Sequence, residues 1–315
     1  MEINESYELI KKVKENLQKV IIGKEEVINQ VLTALIAGGH ILLEDIPGTG
    51  KTLLSKSLAK SIHATFSRIQ FTPDLLPSDI TGTNIYNQKE AQFSFIPGPA
   101  FCNVLLADEI NRATPRTQSS LLECMEERQI TVDGTTYSLE TPFFVVATQN
   151  PIETAGTFPL PEAQLDRFMM KLSMGYPTKE EELLIMNRFL SDDPLATLSF
   201  VLTKEQLLEI QESVHQIYIH DAIKDYVITI AQATRAHHNI TIGASPRASL
   251  SLLKASQAYA LIQGRSYVLP DDIKSLVIPV LQHRMITLDH NTSNRSLPLT
   301  ELLSTIPVPS EDFSR

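Results

Sequence analysis

The sequence predicts an α/β fold, a parallel sheet flanked by helices and followed by a smaller all-α domain. The first observation behind this is a set of short apolar runs at 41–43, 104–107 and 143–147, which lack polar alternation and read as strands covered on both faces. The second is that helical periodicities alternate with those runs. The third is that beyond Gly175-Tyr176-Pro177 only helical patterns follow, at about 178–191, 203–215, 221–237, 246–263 and 270–285. The expected organisation is an α/β core over 1–175, a helical domain over 176–288 and a tail over 289–315 that is either loosely ordered or a short packed helix.

In chain order, Tyr7, Ile10, Val13 and Leu17 mark an amphipathic helix, and Val27, Val31, Ala34 and Leu35 mark a second that Gly38-Gly39 ends. The strand at 41–43 then runs into Pro47-Gly48-Thr49-Gly50-Lys51-Thr52-Leu53. Gly48 and Gly50 allow backbone angles and close approach that a Cβ forbids, and Lys51-Thr52-Leu53 open a helix whose unpaired N–H groups face the turn. A donor nest of this kind suits nucleotide phosphates, with Lys51 reaching the β/γ-phosphates and Thr52 a Mg²⁺ ion. One residue departs from the full phosphate-loop pattern, which wants glycine where this chain has Asp45. A carboxylate there is unfavourable unless it points away from the phosphates.

Residues 66–71 alternate as a strand, and 72–99 read as an exposed insertion with a small hairpin. The apolar run from Val104 ends in Asp108-Glu109, two acids delivered to the carboxyl edge of the sheet, where open α/β sheets bind ligands. Downstream of a phosphate loop, Asp108 is placed to hold Mg²⁺ through its waters. Glu109 is placed to orient and deprotonate the attacking water, help that contributes roughly 10²–10⁴-fold. A helix over 115–127 and a hairpin around Asp133-Gly134 follow. The strand at 143–148 ends in Gln149-Asn150, where the Asn150 amide can sense the γ-phosphate and position water.

Bulk composition narrows the partners. The chain has 315 residues, 27 basic against 37 acidic, and a net charge of −10, a field that opposes nonspecific binding to nucleic acid or anionic lipid. Trp is absent and aromatics are 6%, little material for a base-stacking surface. Cys102 and Cys124 lack metal-ligand spacing, the chain begins with a polar segment, and no apolar run is long enough for a bilayer span, so a cytoplasmic protein with free thiols and no membrane insertion is expected. His237-His238 point in different directions on a helix and have no second pair at ligand spacing.

Four segments together resemble the MoxR family of AAA+ ATPases: Asp-Glu-Ile-Asn-Arg-Ala at 108–113, Ala-Thr-Gln-Asn-Pro-Ile-Glu at 147–153, Pro-Leu-Pro-Glu-Ala-Gln-Leu-Asp-Arg-Phe at 159–168 and Gly-Ala-Ser-Pro-Arg-Ala at 243–248. The resemblance covers about residues 20–288. It implies a nucleotide-binding core, a helical lid, a homo-oligomeric ring usually of six subunits, and ATP and Mg²⁺ as ligands. It implies chaperone-like remodelling of client proteins, von Willebrand factor A domain proteins among them. By the same resemblance Arg167 corresponds to an arginine finger reaching the next subunit's γ-phosphate, Arg247 to a second sensor on the lid acting in cis or in trans, and Ile22 and Gly23 to the adenine pocket. Arg112 and Arg116 are further interface candidates, and the hairpins at about 83–96 and 129–138 resemble pore-facing insertions.

The function expected is Mg²⁺-dependent ATP hydrolysis coupled to client remodelling. Rival readings are a nucleic-acid-remodelling motor, which the acidic balance opposes, a metal-chelatase-like motor, and a scaffold that binds ATP with little turnover, which Asp108-Glu109 and Arg167 oppose.

Overall fold

The computed structural model describes residues 1–89, 91–151, 156–191, 193–288 and 296–314. Ile152 and Glu153 of the 147–153 segment, Glu90 in the insertion, Asp192 between two lid helices, and 289–295 of the tail lie outside the described residues.

Helices α1 (Ile3–Val20) and α2 (Glu25–Ile36) precede β1 (Ile41–Glu44), α3 (Lys51–Ser61) and β2 (Phe66–Gln70). The insertion carries a short helix α4 (Pro77–Thr81), which its Pro- and Thr-rich composition did not predict, and the hairpin β3 (Gly82–Asn87) and β4 (Gln92–Pro97). Then come β5 (Val104–Asp108), α5 (Pro115–Glu127), the hairpin β6 (Gln129–Val132) and β7 (Thr135–Ser138), β8 (Phe144–Gln149), α6 (Glu162–Leu165) and β9 (Met170–Leu172).

Five strands form one parallel sheet in the order β2-β5-β8-β1-β9. Their side chains alternate between two cores. Ile41, Leu43, Val104, Leu106, Val146 and Met170 face α1, α2 and α3, whereas Leu42, Leu105, Ala107, Val145 and Ala147 face α5 through Leu121, Leu122 and Met125. Burying each such aliphatic side chain is worth ~1.5–3 kcal/mol, which is why these strands read as unbroken apolar runs. The fifth strand, β9, lies inside the apolar stretch after Arg167 and pairs Met170 with Ile41; at three residues it is too short for periodicity to reveal.

The two hairpins lean on each other. Phe95 stacks on Tyr137 at 4.1 Å, and the Asn84 amide donates to Asp133 Oδ2 at 2.7 Å. Asp133 and Gly134 at φ 49° and 80° make the tight turn expected of Asp-Gly.

The second domain is helical: α7 (Lys179–Ser191), α8 (Lys204–Ser213), α9 (Asp221–Ala236), α10 (Pro246–Ile262) and α11 (Pro270–Leu281). Ser245 caps α10 by accepting from the Ala248 N–H at 3.1 Å, with Pro246 at the first helical position. Strands β10 (Ile240–Ile242) and β11 (Ile286–Thr287) add a two-stranded antiparallel ribbon to an otherwise α-helical domain, and α12 (Leu297–Thr305) packs the tail against it through buried Leu299. Helices α8 to α11 share one apolar core with α1, α2 and one face of the sheet. Among the described residues no helix is long and apolar enough to cross a membrane.

Candidate functional site

Strand β1 delivers the phosphate-loop candidate to the carboxyl edge of the sheet. Gly48 and Gly50 sit at φ 86° and 92°, left-handed angles that strain any residue with a Cβ, and Gly50 stands immediately before the first turn of α3. The Lys51 ammonium is folded back on the loop and donates to the carbonyls of Asp45 (2.9 Å) and Ile46 (3.2 Å). Asp45 is buried and points away from the loop's concave side. Its Oδ2 accepts from the Met174 and Gly175 N–H groups at 2.5 and 3.1 Å, and its Oδ1 from the Ile46 N–H at 3.2 Å. The carboxylate therefore ties the phosphate loop to the chain leaving β9, a structural task that glycine could not perform.

The acidic pair stands at the end of β5, two strands from β1 with β8 between them. Buried Thr148 donates its hydroxyl to Asp108 Oδ1 at 2.6 Å and accepts from the Glu109 N–H at 2.9 Å, so β8 fixes both acids. Arg68 Nη2 holds Asp108 Oδ2 at 2.6 Å. Glu109 adopts a left-handed backbone (φ 58°, ψ 50°), a conformation that costs a non-glycine residue about 1–3 kcal/mol and that throws its side chain off the strand line. Gln70 Nε2 (2.6 Å) and Arg112 Nε (3.1 Å) both contact Glu109 Oε2. Arg112, a predicted interface residue, thus pairs within its own chain, while Arg116 is exposed at the start of α5. Asn150 is buried one residue beyond β8, whose Gln149 donates to Glu44 Oε1 at 2.6 Å; Lys171 holds the other Glu44 oxygen at 2.5 Å.

Ile22 and Gly23 line a cavity of about 520 Å³ together with Gln18, Leu184, Asn187 and Arg188. The cavity adjoins the loop because Lys24 donates to the Tyr176 carbonyl at 2.9 Å, two residues beyond the Met174 N–H that Asp45 holds. Its size and mixed lining suit a nucleotide base.

Arg167 and Arg247 are elsewhere. Arg167 Nε lies 3.0 Å from Glu126 Oε2, and Arg247 Nη2 lies 3.4 Å from the same residue's Oε1. Arg247 Nε also lies 3.6 Å from Asp166 Oδ2. This group is at the amino edge of the sheet, where the Met169 N–H bonds to the His40 carbonyl just before β1 begins. From Met169 to Met174, beside the phosphate loop, five residues at strand rise span about 16 Å. The structure thus brings together the loop, Asp108, Glu109 and Asn150, and separately pairs Arg167 with Arg247.

Sequence reading missed Arg68, Gln70, Thr148, Glu126, Asp166 and Arg284 as partners in these groups. The alternation of Arg68 and Gln70 along β2, beside a strand ending in Asp108-Glu109, was the available signal.

A phosphate loop on β1, acids on β5, a polar amide on β8 and a helical lid define a P-loop ATPase of the AAA+ class. Residues 40–170 match the ATPase family associated with various cellular activities (AAA), and 232–301 match the AAA lid domain. The chain is 41% identical over 305 residues to Chaperone MoxR1 of Mycobacterium tuberculosis, covering 93% of this chain and 80% of that one. It is 53% identical over 278 residues to YeaC of Bacillus subtilis, covering 88% and 87%. A crystal structure from Cytophaga hutchinsonii superposes with a TM-score of 0.90 at 41% identity, covering 97% and 96%. The chain belongs to the MoxR family of AAA+ ATPases.

Proposed function

We propose that this protein hydrolyses ATP in a homo-oligomeric ring, with six subunits the natural closure, and couples turnover to chaperone-like remodelling of a client protein. The observation that carries this reading is the separation of the two halves of the site: nucleotide groups at the carboxyl edge of the sheet, Arg167 and Arg247 at the amino edge. A single chain cannot direct both at one nucleotide, and two copies placed edge to edge can.

In such a junction the Gly48–Lys51 backbone and the Lys51 ammonium hold the β- and γ-phosphates, released from the loop carbonyls that Lys51 now occupies. Ile22 and Gly23 receive the base. The Thr52 hydroxyl and Asp108 would hold Mg²⁺, whose part is to neutralise phosphate charge. The residues present fit that ion, since they are hard oxygen donors and too few to hold it without the nucleotide's own oxygens. Glu109 takes the proton of the attacking water, and Asn150 orients that water. Arg167 and Arg247 of the neighbour meet charge developing on the transferred phosphoryl group. Both arginines therefore act in trans on this reading, because both lean on Glu126.

The domains assigned are 1–175 as nucleotide core, 176–288 as lid and 289–315 as tail. Exposed Tyr86 and Phe93 at the tip of the β3–β4 hairpin are the surface offered to a client, of which a von Willebrand factor A domain protein is the kind the family suggests. A cytoplasmic location accords with the acidic, free-thiol composition. The test is a mixing experiment. Glu109→Gln rings should bind ATP without turning it over, Arg167→Ala rings should be inactive, and mixed rings should recover turnover; no recovery on mixing would overturn the shared site.

A further inference from the structure

The last turn of the lid holds the segment around Arg167 with three successive side chains. Gln282 Nε2 donates to the Lys171 carbonyl at 2.9 Å. His283 Nε2 bonds to the Phe168 carbonyl at 2.9 Å, and Arg284 Nη2 donates to that same carbonyl at 2.9 Å and approaches the Asp166 carbonyl at 3.5 Å. Arg284 thus touches the backbone on both sides of Arg167. Its Nε also lies 3.2 Å from Asp166 Oδ1, while the other oxygen of that carboxylate faces Arg247 at 3.6 Å.

The result is a chain of alternating charge: Arg284, Asp166, Arg247, Glu126, Arg167. Its members differ sharply in exposure. The Arg284 side chain is 3% exposed, against 54% for Arg247 and 31% for Arg167. A buried guanidinium is a costly way to fill space, and among the described residues its Nε and Nη1 are both buried without a hydrogen-bond partner, so Asp166 Oδ1 is held by charge and not by a hydrogen bond. What it supplies that an apolar side chain cannot is a rigid planar fork that sets the angle between the groups it binds.

We propose that Arg284 is a positioning residue for the arginine face: acting through Asp166 and the Phe168 carbonyl, it locks Arg167 of the core and Arg247 of the lid into one unit, so that lid movement re-aims both at the neighbouring subunit's nucleotide. This rests on the reading that Arg167 and Arg247 act in trans. Arg284 itself touches no nucleotide, and its own chain's phosphate loop is at the other edge of the sheet.

Arg284→Met, which keeps volume and removes the fork, separates this role from a merely structural one. It should bind ATP with an affinity and KM within roughly threefold of the parent, while kcat falls on the order of 10²-fold, the loss expected of an ångström-scale misplacement of a catalytic group. Mixing with Glu109→Gln subunits should restore turnover, because those subunits lend an intact arginine face to an intact nucleotide site. A folded Arg284→Met protein with parental kcat, or one whose loss is not recovered on mixing, would overturn the proposal. If Arg284→Met gives no cooperative melt, Asp166→Asn decides by the same measurements, with the same pattern supporting the lock and parental kcat refuting it. Arg167→Ala run in parallel distinguishes the two levels: full activity there removes the trans reading and the lock with it, whereas an inactive Arg167→Ala beside a fully active Arg284→Met removes the lock alone.

Discussion

The carboxyl edge of the sheet is built from backbone N–H groups and from side chains on adjoining strand ends, Asp108 and Glu109 on one, Asn150 on the next, Lys51 after a third. The amino edge is built from side chains that share no strand end: Glu126 closes a helix, Asp166 and Arg167 precede β9, Arg247 opens a lid helix and Arg284 ends the lid. The first arrangement is local to the core, except for the base cavity that Leu184, Asn187 and Arg188 of the lid help to line. The second exists only while lid and core stay docked, so it is the half through which a conformational change can act.

Substitutions should separate the edges by what they change. Arg167→Ala should lower turnover by roughly 10³–10⁵ and leave ATP affinity within a few-fold, read by steady-state kinetics beside equilibrium binding. Glu109→Gln should cost roughly 10²–10⁴ in turnover, again with binding kept. Asp45→Gly sharpens the comparison differently, since it restores the glycine of the general phosphate-loop pattern. Because it strips acceptors from the Met174, Gly175 and Ile46 N–H groups, it should destabilise the fold by about 2–4 kcal/mol in chemical denaturation rather than improve the loop.

The smallest effect is a pH dependence of stability. His40 accepts the Val145 N–H on Nδ1 at 3.1 Å and bonds to the Met125 carbonyl through Nε2 at 3.1 Å, which sets the neutral Nε2–H tautomer. Burial holds its pKa down from 6.5 to about 4. For His283, burial and then the charge of Arg284 lower it to about 3. Above pH 6.5 both rings are neutral folded and unfolded, so neither contributes a slope. As pH falls below 6.5 the unfolded chain takes up protons that the folded chain refuses, and stability drops until the folded pKa is reached. Each ring should cost about 2 kcal/mol at pH 5. Denaturation of the parent and of His40→Gln at pH 7.5 and pH 5 checks this; an unchanged pH slope in the variant would remove His40 from the account.

The carboxyl edge was legible in the sequence because each of its parts is a short contiguous signal: an apolar run followed by the glycine turn, an apolar run followed by two acids, an apolar run followed by an amide. The lid helices were legible by period. The role of Asp45 was not, since its partners are 129 and 130 residues away, and no local pattern says which backbone N–H groups a carboxylate will meet. The family resemblance assigned Arg167 and Arg247 roles, but their common dependence on Glu126 arises from docking α10 against the end of α5. Strand β9 and the β10–β11 ribbon were too short for periodicity, and the insertion's helix α4 is a single turn and a half.

Placing nucleotide groups and arginines at opposite edges also sets a count. If the arginines act in trans as proposed, two subunits in contact make one junction and one complete site, and an open row of subunits always has one site fewer than it has chains. Closing the row into a ring adds the missing site without adding protein, so every chain then both uses an arginine pair and lends one.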